Sequence, residues 1–234
     1  MKWALIPLLI PLLAILYTQI NTINHKFYRL TPHDLNATVQ QSLIQAETTL
    51  SALFQQGFPP TSQTNMTHLL SILIPNLTKD HPQLLWNTNW QDPSEWFFNN
   101  AGGAMGSMFI LHSSITEYII IFGSAIGTEG HSGRHTADDY FHILQGQQSA
   151  YEAGKFEREI YSKGDVHHMK RGVVKQYGMI PESWALEYAC GWIPLMLPFG
   201  FADGIFSTND IITLYHTVRI TGRETIRNLL AGKI

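Results

Sequence analysis

A carboxylate stands in the middle of an otherwise apolar run of this chain. Glu187 is the centre of Trp184–Cys190, which leads into a second apolar stretch. Removing an ionised carboxylate from water is costly, so such a group is paired, protonated or used chemically, and these groups cluster at functional sites. Glu187 is therefore our first candidate for proton transfer. A structural Glu paired with an Arg or a Tyr is the alternative.

Alternation along a strand predicts how Glu187 is presented. Ala185, Glu187 and Ala189 would share one face, while larger side chains take the other. Small neighbours on both sides of the carboxylate leave room for a bulky ligand.

A second polar cluster lies between Glu129 and Tyr140, with two imidazoles, a guanidinium and two carboxylates within nine residues. It is either a solvated loop or a source of an acid or base for a cavity. If the chain is extended from residue 138 onward, Asp139 shares a face with Phe141, and Asp138 lies on the other face. Asp139 is then the inward carboxylate.

The pair His167-His168 raises the question of a metal site. Adjacent strand residues point to opposite faces, so these imidazoles do not converge on one ion unless a bulge intervenes. Cys190 is the only cysteine, which excludes an intrachain disulfide and a multi-cysteine metal site. We predict no metal. No phosphate loop, dinucleotide fingerprint or Ser-His-Asp order is present.

Length and charge narrow the class of protein. A chain of 234 residues can bury one core and carry an appendage. The net charge of -3 and the 14% of charged residues provide no basic field, so nucleic acid is not an expected partner.

The sequence predicts both helices and strands around these groups. Residues 34 to 56 predict an amphipathic helix, and a second helical stretch from Met66 to Leu73 ends near Pro75. Residues 80 to 100 predict an irregular lead-in. The pattern from Ser107 to Ile121 fits a helix or a strand.

Short candidate strands then alternate with regularly spaced glycines, a pattern that predicts an antiparallel barrel or sandwich. They are Tyr140–Leu144, Lys155–Tyr161, Asp165–Lys170, Val173–Tyr177 and Trp184–Cys190.

Both ends of the chain suggest a membrane. From Trp3 to Asn24 there is no charge, and the apolar length suits a roughly 30 Å hydrocarbon layer. We predict a retained anchor rather than a cleaved signal peptide, because no small-residue cleavage site follows. Orientation stays open: Lys26 and Arg29 after the span favour a cytosolic domain, whereas three Asn-x-Thr sequons permit a lumenal one.

At the other end, an apolar stretch from Trp192 to Phe206 precedes a helical segment from about Asn209 to Leu230. Three arginines share one face of that segment, an arrangement typical of a helix on a membrane surface. A core helix is the alternative.

An ordered series of motifs runs through the second half of the chain. It comprises Gly106-Ser107-Met108, Leu111-His112, Ser114-Ile115-Thr116-Glu117-Tyr118, Phe122-Gly123-Ser124-Ala125, Gly130-His131-Ser132-Gly133-Arg134, Glu187-Tyr188, Ile193-Pro194, Phe201-Ala202-Asp203 and Phe206-Ser207-Thr208. Over roughly residues 80 to 234 the chain resembles the family of fungal C-8 sterol isomerases and sigma non-opioid receptors. His135–Phe141 and Val166-His167-His168 are closer to the fungal isomerases.

The resemblance implies a mainly β protein with helices (α+β), built as a cupin-like β-barrel on a trimer in the endoplasmic reticulum membrane with a single N-terminal pass. We expect an N-terminal transmembrane helix in residues 1–24, a helical connection in 25–80, the barrel in 81–191 and C-terminal membrane-associated helices in 192–234.

The resemblance also implies that Glu187 matches the acid that binds the ligand amine in the receptors, and Tyr118 the tyrosine hydrogen-bonded to it. The receptors' second acid falls where this chain has Phe141, so Asp139 is our candidate and Asp138 the reserve. The expected ligand-binding side chains are Tyr118, Met108, Phe122, Phe141, Met179 and Leu197.

The implied reaction moves a sterol double bond from Δ8 to Δ7. It protonates carbon 9, passes through a carbocation at carbon 8 and removes a proton from carbon 7, with no cofactor. Glu187 and Asp139 would divide the acid and base tasks. The expected partners are the sterol and membrane lipid. A receptor-like amine or sterol binder, or a chaperone without turnover, is the alternative.

Overall fold

Three helices precede the sheets in the computed structural model, which describes residues 6–55 and 61–234. They are α1 (Ile6–Ile23), α2 (Pro32–Gln55) and α3 (Ser62–Asp80). At the start of α2, the Asp34 N–H donates to Thr31 Oγ1 (3.1 Å), whose hydroxyl donates back to the Asp34 carboxylate (2.8 Å). This reciprocal cap fixes the predicted helix start.

Helix α3 continues through Pro75, where the sequence predicted its end. Proline removes one backbone hydrogen bond from a helix. Leu73, Ile74 and Leu77 are buried in the core shared with α2. Tertiary packing of this kind outweighs the local cost of the proline.

The predicted anchor of residues 1–24 overlaps α1, and residues 1–5 lie outside the described part of the chain. Within residues 6–55 and 61–234, no helix combines the length and the apolar character needed for a membrane crossing. The predicted single pass is not confirmed.

Antiparallel strands form two sheets in the described residues. The six-stranded sheet has the order β1-β2-β3-β10-β5-β8, and the four-stranded sheet β4-β9-β6-β7. The strands are β1 (Trp96–Ala101), β2 (Ala104–Ser113), β3 (Glu117–Ser124), β4 (Thr128–His131), β5 (Ala137–Gln145), β6 (Gln147–Tyr151), β7 (Glu159–Ser162), β8 (Val166–Met169), β9 (Gln176–Met179) and β10 (Ser183–Gly191).

These strands confirm the expected mainly β fold with helices and correct several predicted assignments. The ambiguous stretch from Ser107 to Ile121 belongs to two strands, β2 and β3, and the lead-in of residues 80 to 100 contains most of β1. The predicted strand Lys155–Tyr161 shrinks to β7, because the chain before Glu159 is a turn and loop.

Alternation on the six-stranded sheet produces two cores. Side chains such as Phe109, Leu111 and Leu186 face α2 and α3, whereas Met108 and Ile120 belong to a separate cluster on the opposite face. That second face, which we call the inner face, carries the candidate site.

Two helices close the chain, α4 (Leu197–Phe206) and α5 (Ile211–Leu230). Two of the three arginines of the predicted basic face contact the protein instead. Arg223 binds the buried carboxylate of Glu95, and Arg227 donates to the Trp86 carbonyl at 2.8 Å. These contacts hold helix α5 to the segment that precedes β1.

Candidate functional site

A mostly apolar cavity lies between the inner face, the four-stranded sheet and the two C-terminal helices. Its walls include Met108, Ile120, Phe122, Phe141, Leu197 and Phe199. Four of the predicted ligand-binding side chains are among them. Met179, also predicted, packs in the same hydrophobic cluster as Met108 and Phe122 but is not part of the wall.

Glu187 lies on the cavity face of β10, paired with Ile120 of β3 and Phe141 of β5. Its flanking alanines are buried and too small to cover it. The side chain keeps some accessible surface because it borders the cavity, although protein surrounds it. In the described part of the chain, no hydrogen bond or ion pair reaches this carboxylate.

Asp139 lies beside Glu187 on the same face. Because Asp139 pairs with Ala189 and Glu187 pairs with Phe141, the two acids are diagonal cross-strand neighbours, about 7–8 Å apart at Cα. Asp139 is fully buried, and neither of its carboxyl oxygens has a hydrogen-bond partner among the residues that the structure describes. Only Glu187 of this carboxyl pair borders the cavity.

The surroundings of the carboxyl pair favour protonation. Burial raises the pKa of Glu187 to about 7. Burial, followed by the charges of Glu187 and Asp138, raises the pKa of Asp139 well above its usual value. Two desolvated acids this close titrate as a unit. The pair therefore retains at least one proton at neutral pH, and one carboxyl can act as an acid.

Tyr118 borders the cavity but does not make the expected contact. Its hydroxyl donates to Met108 Sδ at 3.8 Å and faces Thr221 of α5, not Glu187. Tyr177 of β9 also borders the cavity, and sequence reasoning did not select it. Burial and the Glu187 charge raise the pKa values of both Tyr177 and Tyr118, so both hydroxyls stay neutral.

The reserve acid, Asp138, faces away from the cavity. Its carboxylate accepts from the Arg171 backbone N–H at 3.1 Å and contacts His168 Nε2 at 3.3 Å. Strand parity separated Asp138 from Asp139 as predicted.

The same parity separates the adjacent histidines. His167 is buried in the cavity wall, whereas His168 is exposed and stacks on Tyr140 with ring centroids 4.2 Å apart. Among residues 6–55 and 61–234, no group of three or more His, Cys, Asp or Glu side chains could hold a metal ion.

Sequence reasoning missed a polar network in the cavity wall around His167. Its Nδ1 lies 2.8 Å from Gln148 Oε1, and its Nε2 lies 3.3 Å from Lys175 Nζ. Lys175 also binds Glu159, whose carboxylate accepts from the Tyr161 hydroxyl at 2.8 Å. These residues come from four short strand or loop segments, and no sequence motif links them.

The polar cluster of residues 129–140 forms part of the cavity rim. Burial lowers the pKa of His135, whose ring contacts Phe199 of α4 edge-on with ring centroids 5.1 Å apart. Its Nε2 lies 2.7 Å from the Ser132 carbonyl. His135 therefore connects this loop to helix α4.

Residues 7–233 match the model of a family described as "ERG2 and Sigma1 receptor like protein". The chain is 47% identical over 232 residues to the C-8 sterol isomerase erg2 of Aspergillus fumigatus, covering 99% of this chain and 89% of that protein. It is 66% identical over 140 residues to the C-8 sterol isomerase ERG2 of Gibberella zeae, where the match covers 60% of each chain. The sigma non-opioid intracellular receptor 1 of Xenopus tropicalis is 41% identical over 158 residues, covering 67% of this chain and 69% of that protein. The expected family resemblance is confirmed.

Two solved structures each match less than half of the chain. A predicted oxalate decarboxylase from Thermotoga maritima has a TM-score of 0.34 and 15% identity, covering 43% of this chain and 96% of that one. The cupin domain of Schizosaccharomyces pombe Cnp3 also has a TM-score of 0.34, with 16% identity, covering 44% of this chain and 70% of that one.

Proposed function

Because this chain belongs to the family of ERG2 and Sigma1 receptor like proteins, we propose that it is a C-8 sterol isomerase that moves a sterol double bond from the 8 to the 7 position. The observation that carries the proposal is the carboxylate of Glu187, which borders an apolar cavity without a partner in the described residues. An apolar cavity with one proton donor suits a substrate whose reacting carbons carry no heteroatom.

In the proposed reaction, protonated Glu187 transfers its proton to carbon 9 and leaves a cation at carbon 8. The resulting carboxylate lies against that cation and stabilises it, then removes a proton from carbon 7. The proton lost in the first step is regained in the second, so no cofactor or net redox change is required.

Asp139 acts through Glu187 in this scheme. It lies behind the cavity wall and is held neutral by burial, so the site carries one anion at most when Glu187 ionises. We assign Asp139 a positioning role because it has no surface towards the substrate.

The test supplies the purified full chain with a Δ8 sterol in deuterated water. We expect the Δ7 product with deuterium at carbon 9. Tight binding of an amine that mimics the cation, without conversion of the sterol, would instead identify a receptor-like binder.

We also propose that the protein works at the endoplasmic reticulum membrane as a cupin-like barrel in a homotrimer, with one N-terminal pass. Exposed apolar side chains on α4 and α5, including Phe206, Ile212 and Tyr215, support contact with lipid. Protease protection in sealed microsomes tests the pass. Light scattering of the detergent-solubilised protein tests the trimer.

A further inference from the structure

Among residues 6–55 and 61–234, the polar network around His167 leaves the side-chain NH2 group of Gln148 without a protein partner. Lys175 has only donors, so His167 Nε2 must accept from it, and Nδ1 carries the ring proton. That proton is donated to Gln148 Oε1, which fixes the carboxamide. In the described residues the Gln148 Nε2 amide group makes no hydrogen bond.

This amide belongs to a side chain that is 1% exposed and borders the cavity. Burying a polar donor without a partner is costly unless a ligand supplies one. Burial, followed by the nearby Lys175 charge, lowers the pKa of His167 to about 4, so the imidazole stays neutral and the amide keeps one orientation.

The network lies at a definite distance from Glu187. Glu187 pairs with Phe141, which pairs with His167, so the network is two strands away, roughly 10 Å along the sheet. Helices α4 and α5 contact β1 and β2, which lie at the opposite edge of the six-stranded sheet. The polar Gln148 end of the cavity therefore lies on one side of Glu187, and the strands that the helices contact lie on the other side.

The polar and reacting groups of a sterol follow one another in the same order as the groups of the cavity. The sterol hydroxyl at carbon 3 is on ring A, the reacting carbons 7, 8 and 9 are on ring B, and the alkyl tail is at the far end. We propose that Gln148 Nε2 donates a hydrogen bond to the 3-hydroxyl oxygen of the substrate, and that this contact places ring B against Glu187. The inference rests on the proposed isomerase function and makes Gln148 a determinant of specificity.

The test compares two Δ8 sterols that differ only in the presence of the 3-hydroxyl. We expect wild-type protein to prefer the hydroxylated sterol, with kcat/KM about tenfold higher, as one buried hydrogen bond provides. Gln148→Leu should reduce this ratio to near one through loss of activity on the hydroxylated sterol alone. Unchanged turnover of the 3-deoxy sterol then shows that the variant is folded.

Gln147→Leu is the matched control, because Gln147 is the neighbouring residue and its amide contacts Ser162 Oγ at 3.5 Å outside the cavity. Its ratio should match wild type. Gln148→Met, which preserves side-chain length, replaces Gln148→Leu if the leucine variant does not fold.

Two outcomes overturn the proposal. One is an unchanged ratio in the folded Gln148 variant. The other is an Asn99→Leu variant that no longer prefers the hydroxylated sterol. Asn99 borders the cavity on β1 near the helices, so that result would mean that the sterol binds in the opposite orientation. The same ratio measured as binding affinities separates the two proposals. Binding that depends on Gln148 without turnover would reject the isomerase function and keep the hydroxyl contact.

Discussion

Two glutamates on neighbouring strands, Glu117 of β3 and Glu187 of β10, lie in opposite electrostatic environments. The Glu117 carboxylate is fully buried and accepts hydrogen bonds from four donors. These donors are the backbone N–H groups of Arg29 (2.8 Å) and Leu30 (3.0 Å), the Tyr188 hydroxyl (2.8 Å) and Lys233 Nζ (2.8 Å). Glu187, by contrast, has no such donor among the described residues.

Glu117 and Glu187 differ in what separates a structural acid from a candidate catalytic one in this protein. Glu117 joins the segment after α1, strand β3 and the C-terminal Lys233, and its charge is compensated. The alternative that the sequence left open for Glu187 was a structural Glu paired with an Arg or a Tyr. Glu117 has such a tyrosine, Tyr188, and its cation is a lysine. The presence of donors, rather than burial, distinguishes the two acids.

Replacing Glu187 should have a larger effect on turnover than any other substitution proposed for this protein. Glu187→Gln preserves side-chain shape and removes the acid, so we expect kcat to fall by roughly a thousandfold. The midpoint of thermal unfolding should not decrease, since Glu187 has no hydrogen-bond or ion-pair partner in the described part of the chain. Sterol conversion and a thermal melt of the same preparation measure both quantities.

Glu157→Gln is the control for that experiment, because Glu157 is an exposed loop residue outside the cavity. It should retain wild-type turnover. Parental activity in Glu187→Gln would show that Glu187 is a ligand contact without a role in proton transfer.

Replacing Lys233, the cation beside Glu117, should have the next largest effect, on the free energy of unfolding. Lys233→Met leaves the buried Glu117 charge without its cation, and we expect a loss of about 3–5 kcal/mol in the free energy of unfolding. Because Glu117 is not in the cavity wall, kcat per folded molecule should stay close to wild type. Urea unfolding in detergent, combined with active-site titration, measures the two quantities separately.

Lys155→Met is the matched control, since Lys155 pairs with Glu152 on the surface at 3.3 Å. An exposed pair of this kind contributes about 0–1 kcal/mol. An equal decrease in the free energy of unfolding in both lysine variants would mean that the buried Lys233–Glu117 pair stabilises the protein no more than a surface ion pair does.

Alternation along the strands predicted from the sequence on which face each acid and histidine of the site lies. Period-two alternation placed Glu187 and Asp139 on one face and Asp138 on the other, and it separated His167 from His168. It also marked Ala185 and Ala189 as the small flanks of the carboxylate. Parity is a local property of the chain, so one sequence suffices to read it.

The rest depends on contacts between distant segments. Nothing near Gln148 indicates that His167 and Lys175 orient its amide, and the resemblance-based hydrogen bond from Tyr118 to Glu187 is absent because Tyr118 faces Met108 and α5. Pro75 predicted a helix end, but packing on α2 carries α3 past it. Side-chain orientation within a packed interior is set by tertiary neighbours that no short window contains.

A smaller effect sharpens the difference between the two members of the carboxyl pair. Asp139→Asn keeps the shape but cannot ionise, and we expect turnover to fall about tenfold, well short of the Glu187→Gln loss. The rate should still decline as pH rises through about 7, because Glu187 must be protonated to act and its pKa is about 7. Loss of turnover equal to that of Glu187→Gln would make Asp139 the proton donor.

The last effect concerns the pH dependence of stability and has a definite sign. Folding raises the pKa of Asp139, so above the unfolded value of about 3.9 the folded chain binds more protons than the unfolded chain. The contribution of Asp139 is therefore retained below that pH and falls as pH rises, by up to about 1.4 kcal/mol per pH unit. Asp139→Asn, which has no such proton to lose, should match wild type near pH 4 and be more stable than it at pH 8. Unfolding curves at the two pH values measure the change. Wild-type protein that is more stable than Asp139→Asn at pH 8 would show instead that Asp139 is ionised and paired in the folded protein.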